Sequence, residues 1–176
     1  MPELAEVEFF RKRWAAGHGA KVTAVRLHEG KKIFRGTDTR ALARKLVGAT
    51  LLDSVTAAKQ MLFRFSDGAW VGVHLGMSGQ LLLQPPGAPD ERHLRVRLVL
   101  EGADEDRELR LVDQRMFGGL LVSAGGADLP PEIAHIARDP LDPEFDEDAF
   151  VRRVRRRTSG IKRQLLDQCL VPGVGN

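Results

Sequence analysis

The sequence predicts an α+β chain: an opening helix, a run of short antiparallel strands, then a helical segment. Three observations carry this reading. Leu4, Val7, Phe10 and Trp14 recur at three-to-four spacing, the period of a helix with one apolar face. From Lys21 to Ser123, short apolar or alternating runs are separated by turn residues, which is the pattern of an antiparallel sandwich or barrel. After Gly125-Gly126 the alternation stops, and an acidic stretch (139–148) gives way to a basic one (151–163).

The opening helix is expected over 2–16, with Pro2 in the first turn and Gly17 or Gly19 as its stop. Lys21–His28 reads as extended through Val22, Val25 and Leu27. A helix follows over Asp38–Val47, capped by Asp38 and stopped by Gly48. Met61–Ser66 and Trp70–Leu75 flank Asp67-Gly68, a strong hairpin signal. Gln80–Gln84 is extended and ends at Pro85-Pro86-Gly87. Leu94, Val96, Leu98 and Leu100 alternate with Arg95, Arg97 and Val99, which predicts a half-buried strand with a basic outer face. Glu108–Asp113 and Leu120–Ser123 complete the strands. Pro130-Pro131 opens a short helical piece, and 146–156 and 161–171 read as helices. The boundary between the β-rich and helical parts is expected near 125–135. Pro172–Asn176 are turn residues with no element after them, so the sequence is expected to be cut inside a helical domain. Leu165, Leu166 and Val171 would then stand exposed.

Composition narrows the function classes. A chain of 176 residues is long enough to bury a core without a disulfide or metal staple. The balance of 27 Lys+Arg against 24 Asp+Glu permits a polyanionic partner without requiring one. There is no apolar run long enough for a membrane span, and the acidic Met1–Glu6 start is unlike a signal peptide. The single Cys169 excludes an internal disulfide and a Cys-rich zinc site within these residues, and His18, His28 and His135 lack metal-ligand spacing. A cytoplasmic protein is the simplest fit. Absence of tyrosine argues against a base-stacking single-strand binder.

Several residues suit chemistry. Once Met1 is removed, Pro2 is a secondary amine able to attack an aldehydic sugar carbon and form an iminium; as a plain residue it only starts a helix. Glu3 and Glu6 lie one turn apart and can serve as general acid and orienting carboxylate, or simply complement the helix dipole. His74–Gly79 is a strand end and a Gly-flanked loop that either projects Met77 toward a duplex or folds it onto the core. Asp113–Gly119 sets Arg115 and Phe117 on a similar loop, for base or phosphate contacts or for a salt bridge and a core ring. The basic stretch, with Arg157 and Lys162, and the terminal Gly173-Val174-Gly175-Asn176 suit phosphate contacts; the alternative is a solvated face paired with the acidic run.

In order along the chain, Met1–Glu8, His74–Gly79, Asp113–Gly118, Ile136–Pro143, Ile161–Gln168 and Gly173–Asn176 resemble the formamidopyrimidine-DNA glycosylase family of bifunctional glycosylases for oxidised purines. The resemblance implies an N-terminal catalytic β-sandwich over 1–130 and, over 131–176, the first part of a helix-two-turns-helix DNA-binding domain. It implies Pro2 as the Schiff-base nucleophile, Glu3 as proton donor to the sugar with Glu6 beside it, and Lys59 supporting β-elimination. His93, Arg115, Arg157 and Asn176 would contact the DNA backbone, with Lys162 in the same basic stretch. Met77, Arg115 and Phe117 would fill the gap left by a flipped nucleotide. The implied partner is duplex DNA with an oxidised base or abasic site, bound by a monomer in the cytoplasm at the nucleoid. No cofactor is implied here, because the family's structural zinc sits in a four-cysteine C-terminal finger that this sequence lacks. Ala5, Met116 and Gln60-Met61-Leu62 depart from the family's usual residues. Two other readings stay open: a non-catalytic remnant that binds DNA weakly or serves as an interaction module, and an oxidised-pyrimidine glycosylase.

Overall fold

The computed structural model of the chain describes residues 2–28, 32–116, 118–123 and 133–175. Helix α1 (Leu4–Ala15) leads into β1 (Lys21–Leu27) and α2 (Thr39–Leu46), followed by β2 (Leu51–Ala57), β3 (Gln60–Phe65), β4 (Trp70–His74), β5 (Gln80–Gln84), β6 (Leu94–Glu101), β7 (Arg107–Val112) and β8 (Gly119–Ser123). Helices α3 (Glu147–Arg155) and α4 (Ile161–Leu165) close the described chain. The strands form two antiparallel sheets, in the orders β1-β6-β7-β5 and β2-β3-β4-β8. The expected α+β class with an antiparallel sandwich is therefore observed.

Alternation explains the packing. Val22, Leu81, Val96, Leu98, Leu109 and Leu111 of one sheet share a buried cluster with Leu51, Met61, Phe63, Val71 and Val73 of the other. Trp14 joins α1 to both sheets: its ring lies 5.0 Å from that of Phe63 in β3, and its Nε1–H donates to the Leu82 carbonyl of β5 at 3.2 Å. β3 is apolar on both faces because Leu62, with Trp70, is covered on the outside by Ile133. The Pro85–Glu91 connection is tied down by Arg110, fully buried, which donates to the carbonyls of Ala88 and Pro89 and pairs with Glu91 and Glu108. The guanidinium is thus satisfied on every side, the condition for burying a charge.

Four expectations need correction. β2 had no place in the sequence reading: Asp53-Ser54 interrupts its apolar positions, and a bulge between Leu51 and Asp53 breaks the period of two. The face of β6 read as basic is not a free basic surface. A bulge between Leu94 and Val96 accompanies a buried Arg95 that donates to the Asp113 carbonyl, while Arg97 pairs with Asp90 and Glu108. The helix expected through Val171 ends at Leu165, because Asp167 turns the chain by accepting the Cys169 N–H at 2.9 Å. Finally, Val171 is buried and Leu165 and Leu166 are half-buried, so the last apolar face is packed and not exposed. The Pro130-Pro131 piece lies outside the described residues.

Candidate active site

The site forms where the start of α1 meets the tip of the β2–β3 hairpin. Ala57 pairs with Gln60, so the connection is only Ala58-Lys59, and Ala58 adopts a left-handed backbone (φ 51°). That conformation is unfavourable for a residue with a Cβ, and such turns concentrate at functional sites. It delivers Lys59, only 7% exposed, so that its Nζ lies 2.9 Å from Oε2 of Glu3. Glu3 is the N-cap of α1, and Glu6 reaches back to accept the Glu3 N–H at 3.0 Å, forming a capping box. The exposed Glu6 thereby holds the backbone that carries Pro2 and Glu3. Pro2 itself is half-buried beside them.

His74, paired with Gln60 across β3–β4, adds a fourth group. Burial, and then the nearby Lys59 charge, push its imidazole below the ordinary histidine value. The Gly76 N–H donates to Nδ1 at 3.1 Å, so the proton of the neutral ring sits on Nε2.

The far end of the described chain closes over Glu3. A Cβ at Gly175 would collide with the Glu3 carboxylate, and one at Gly173 (φ 83°) would sit 2.7 Å from Leu4 Cδ1. A side chain at Gly175 would displace the Glu3 carboxylate, and Gly173 is favoured by its left-handed backbone.

A second cluster is built on Asp113, 1% exposed. Its Oδ1 accepts the N–H groups of Arg115 and Met116, both at 3.1 Å, and its Oδ2 accepts Gly118 N–H at 2.9 Å. The Asp113 N–H donates to the His93 carbonyl at 3.0 Å. The exposed Met77 and Arg115 sit on these neighbouring loops, while Met116 (φ 55°) packs on the core.

Of the residues expected from sequence, Pro2, Glu3, Glu6 and Lys59 come together, and Met77, Arg115 and His93 share the Asp113 cluster. Arg157 is elsewhere, its Nη1 2.6 Å from Asp167 Oδ2, and Lys162 is exposed on α4. Phe117 and Asn176 lie outside the described residues. His74, Asp113 and Gln168 were not singled out by the sequence reading. His74 and Asp113 head loops that were, and that position was the available signal. Among the described residues no group of three His, Cys, Asp or Glu could hold a metal, and Cys169 is the lone cysteine of the sequence, so the donors of a four-cysteine zinc site are not here.

Residues 1–120 match the model of the formamidopyrimidine-DNA glycosylase N-terminal domain. The chain is 61% identical over 180 residues to formamidopyrimidine-DNA glycosylase of a Nocardioides species and 53% identical to that of Salinispora arenicola. All of this chain is covered, but it spans only 60% and 61% of those relatives. Among solved structures, Lactococcus lactis Fpg in complex with DNA containing an abasic site superposes with a TM-score of 0.83 at 27% identity, covering 99% of this chain and 64% of that one. MutM in complex with DNA containing carbocyclic 8-oxo-G gives 0.83 at 26% identity, covering 99% and 65%.

Proposed function

The chain belongs to the formamidopyrimidine-DNA glycosylase family, and from that premise we propose that it takes part in removing oxidised purines from duplex DNA, with Pro2 as nucleophile. The observation that carries this reading is the 2.9 Å contact between Lys59 Nζ and Glu3 Oε2 beside the N-terminal proline. With Met1 removed, the Pro2 nitrogen attacks C1′ of the flipped nucleotide, and the base departs with the electrons of the glycosidic bond and a proton. Opening of the C1′–O4′ bond, with a proton passed from Glu3 to O4′, leaves an iminium. The iminium accepts the electrons released when C2′ loses a proton, and the 3′ phosphate leaves. The Glu3 carboxylate formed by the transfer to O4′ takes up the C2′ proton, and the Lys59 ammonium beside it supports the elimination. Met77 and Arg115, on the loops held by Asp113, fill the vacated stack.

The partner in this reading is double-stranded DNA with an 8-oxoguanine, a formamidopyrimidine or an abasic site. The chain acts as a monomer on nucleoid DNA in the cytoplasm. Residues 1–130 supply the chemistry, and 131–176 begin a helix-two-turns-helix domain that holds the backbone. His93 and Arg115 in the first part and Lys162 and Asn176 in the second contact the phosphate backbone, and Arg157 reaches a phosphate when it leaves Asp167. No cofactor takes part within these residues. Borohydride trapping on such a duplex tests the reading. A covalent adduct mapping to residue 2, abolished by acetylation of the terminal amine, is expected. No adduct from chain with a verified free Pro2 overturns it.

A further inference from the structure

Gln168 lies in the turn after α4, yet its side chain spans the loop that covers Glu3. Its Oε1 accepts the Gly173 N–H at 2.7 Å, and its Nε2 donates to the carbonyls of Val174 at 3.1 Å and Leu166 at 3.2 Å. Its own carbonyl accepts the Ala137 N–H at 3.1 Å, which anchors the turn to the segment after Ile133. The amide thus joins both sides of the turn; only a carboxamide supplies an acceptor and two donors in one plane, and the shorter Asn would not span the same distance. The loop so held presses Gly173 on Leu4 and Gly175 on the Glu3 carboxylate. Glu3 is otherwise 42% exposed at its side chain, with Lys59 as its ion-pair partner.

We propose that Gln168 is a positioning residue for the Glu3 carboxylate, acting through the Gly173–Gly175 loop that it splints. The proposal rests on the reading of Glu3 as proton donor. Without the splint the loop withdraws, and the carboxylate gains rotamers in which it misses both Lys59 and the sugar oxygen. A displacement of about 1 Å at a reacting group can cost up to about a hundredfold in rate.

Two measurements on the 176-residue chain test this. The first needs no DNA: the carboxyl-carbon resonance of Glu3 is compared between the parent and Gln168→Ala. It is expected to move, whereas that of Glu8, held by Arg11, stays in place. An unmoved Glu3 resonance in a folded Gln168→Ala overturns the proposal, whatever the chain does to DNA. The second is single-turnover trapping on an abasic duplex. Gln168→Ala is expected to slow trapping about tenfold, with affinity for a tetrahydrofuran-containing duplex unchanged, and to have no further effect in a Glu3→Gln background. Equal slowing with and without Glu3 overturns the proposal. If the parent chain forms no adduct, the functional reading fails, and the resonance comparison still decides the role of Gln168.

Discussion

The hydroxyl of Ser78 donates to Oδ1 of Asp113 across 3.2 Å, and this contact joins the loop bearing Met77 to the loop bearing Arg115. Asp113 is buried, and its two carboxyl oxygens accept three backbone N–H groups besides the Ser78 hydroxyl. Asp113→Ala is expected to lower stability by about 2–4 kcal/mol, since each buried donor left unsatisfied costs about 1–3 kcal/mol. Ser78→Ala, which removes only the link, is expected to cost about 1 kcal/mol. Denaturant titration checks both; a smaller loss for Asp113→Ala than for Ser78→Ala would contradict this account.

Lys59→Met keeps the length of the side chain and removes its charge. The Glu3 partner is 42% exposed, so the stability change is expected to be small, about 1 kcal/mol or less. Trapping on an abasic duplex is expected to fall by at least about a hundredfold, the scale of a lost acid–base group. A variant that traps at the parental rate would remove Lys59 from the chemistry.

The strands were legible where short apolar or alternating runs are bounded by turn residues, as in Gln80–Gln84 and Leu94–Leu100, because such runs are local properties. β2 was not, since its bulge and its Asp53-Ser54 make sense only against β3. The site divides in the same way. Pro2 and Glu3 were legible as a secondary amine and a first-turn carboxylate, and Lys59 only through the family resemblance, but the contact of Glu3 with Gly175 joins opposite ends of the described chain and has no local signal. Gln168 was hidden for a related reason: its bonds run backward to Leu166 and forward to Gly173 and Val174 within a turn that reads as the continuation of a helix.

His74 gives the molecule a pH dependence of definite sign. Its folded value is depressed, first by burial and then by Lys59, below the unfolded value of about 6.5. Between those two values the unfolded chain binds more protons, so stability rises with pH across that window. The contribution is complete above about 6.5 and is lost as pH falls through the folded value. Nuclear magnetic resonance titration is expected to place His74 below the ordinary range and to raise it in Lys59→Met. An unchanged midpoint in that variant would show that the lysine charge does not reach the ring.

Trp14 is fully buried and touches both sheets. Trp14→Phe retains most of the apolar area and loses the bond to Leu82, at about 1 kcal/mol plus a small cavity. Trp14→Ala leaves a void at the junction of helix and sandwich, with an expected loss of about 3–5 kcal/mol. Thermal melts rank the two; equal losses would mean that the hydrogen bond and not the packing holds the helix.

Arg157 separates two roles for the basic stretch. Its Nη1 lies 2.6 Å from Asp167 Oδ2, and Arg157 foremost, with the Cys169 N–H next, holds the Asp167 carboxyl below its ordinary value. This pair contributes to stability above the ordinary carboxylate range, and the contribution is lost as pH falls through the depressed value. A guanidinium so engaged reaches a phosphate only by sharing or leaving that carboxylate. Asp167→Asn is therefore expected to lower acid sensitivity and to steepen the salt dependence of DNA binding by about one unit of log Kobs per log salt, the slope of one phosphate contact. Arg157→Gln in the same background is expected to return the slope to its parental value. If neither substitution changes the slope, Arg157 is a structural residue that braces the turn carrying Gln168.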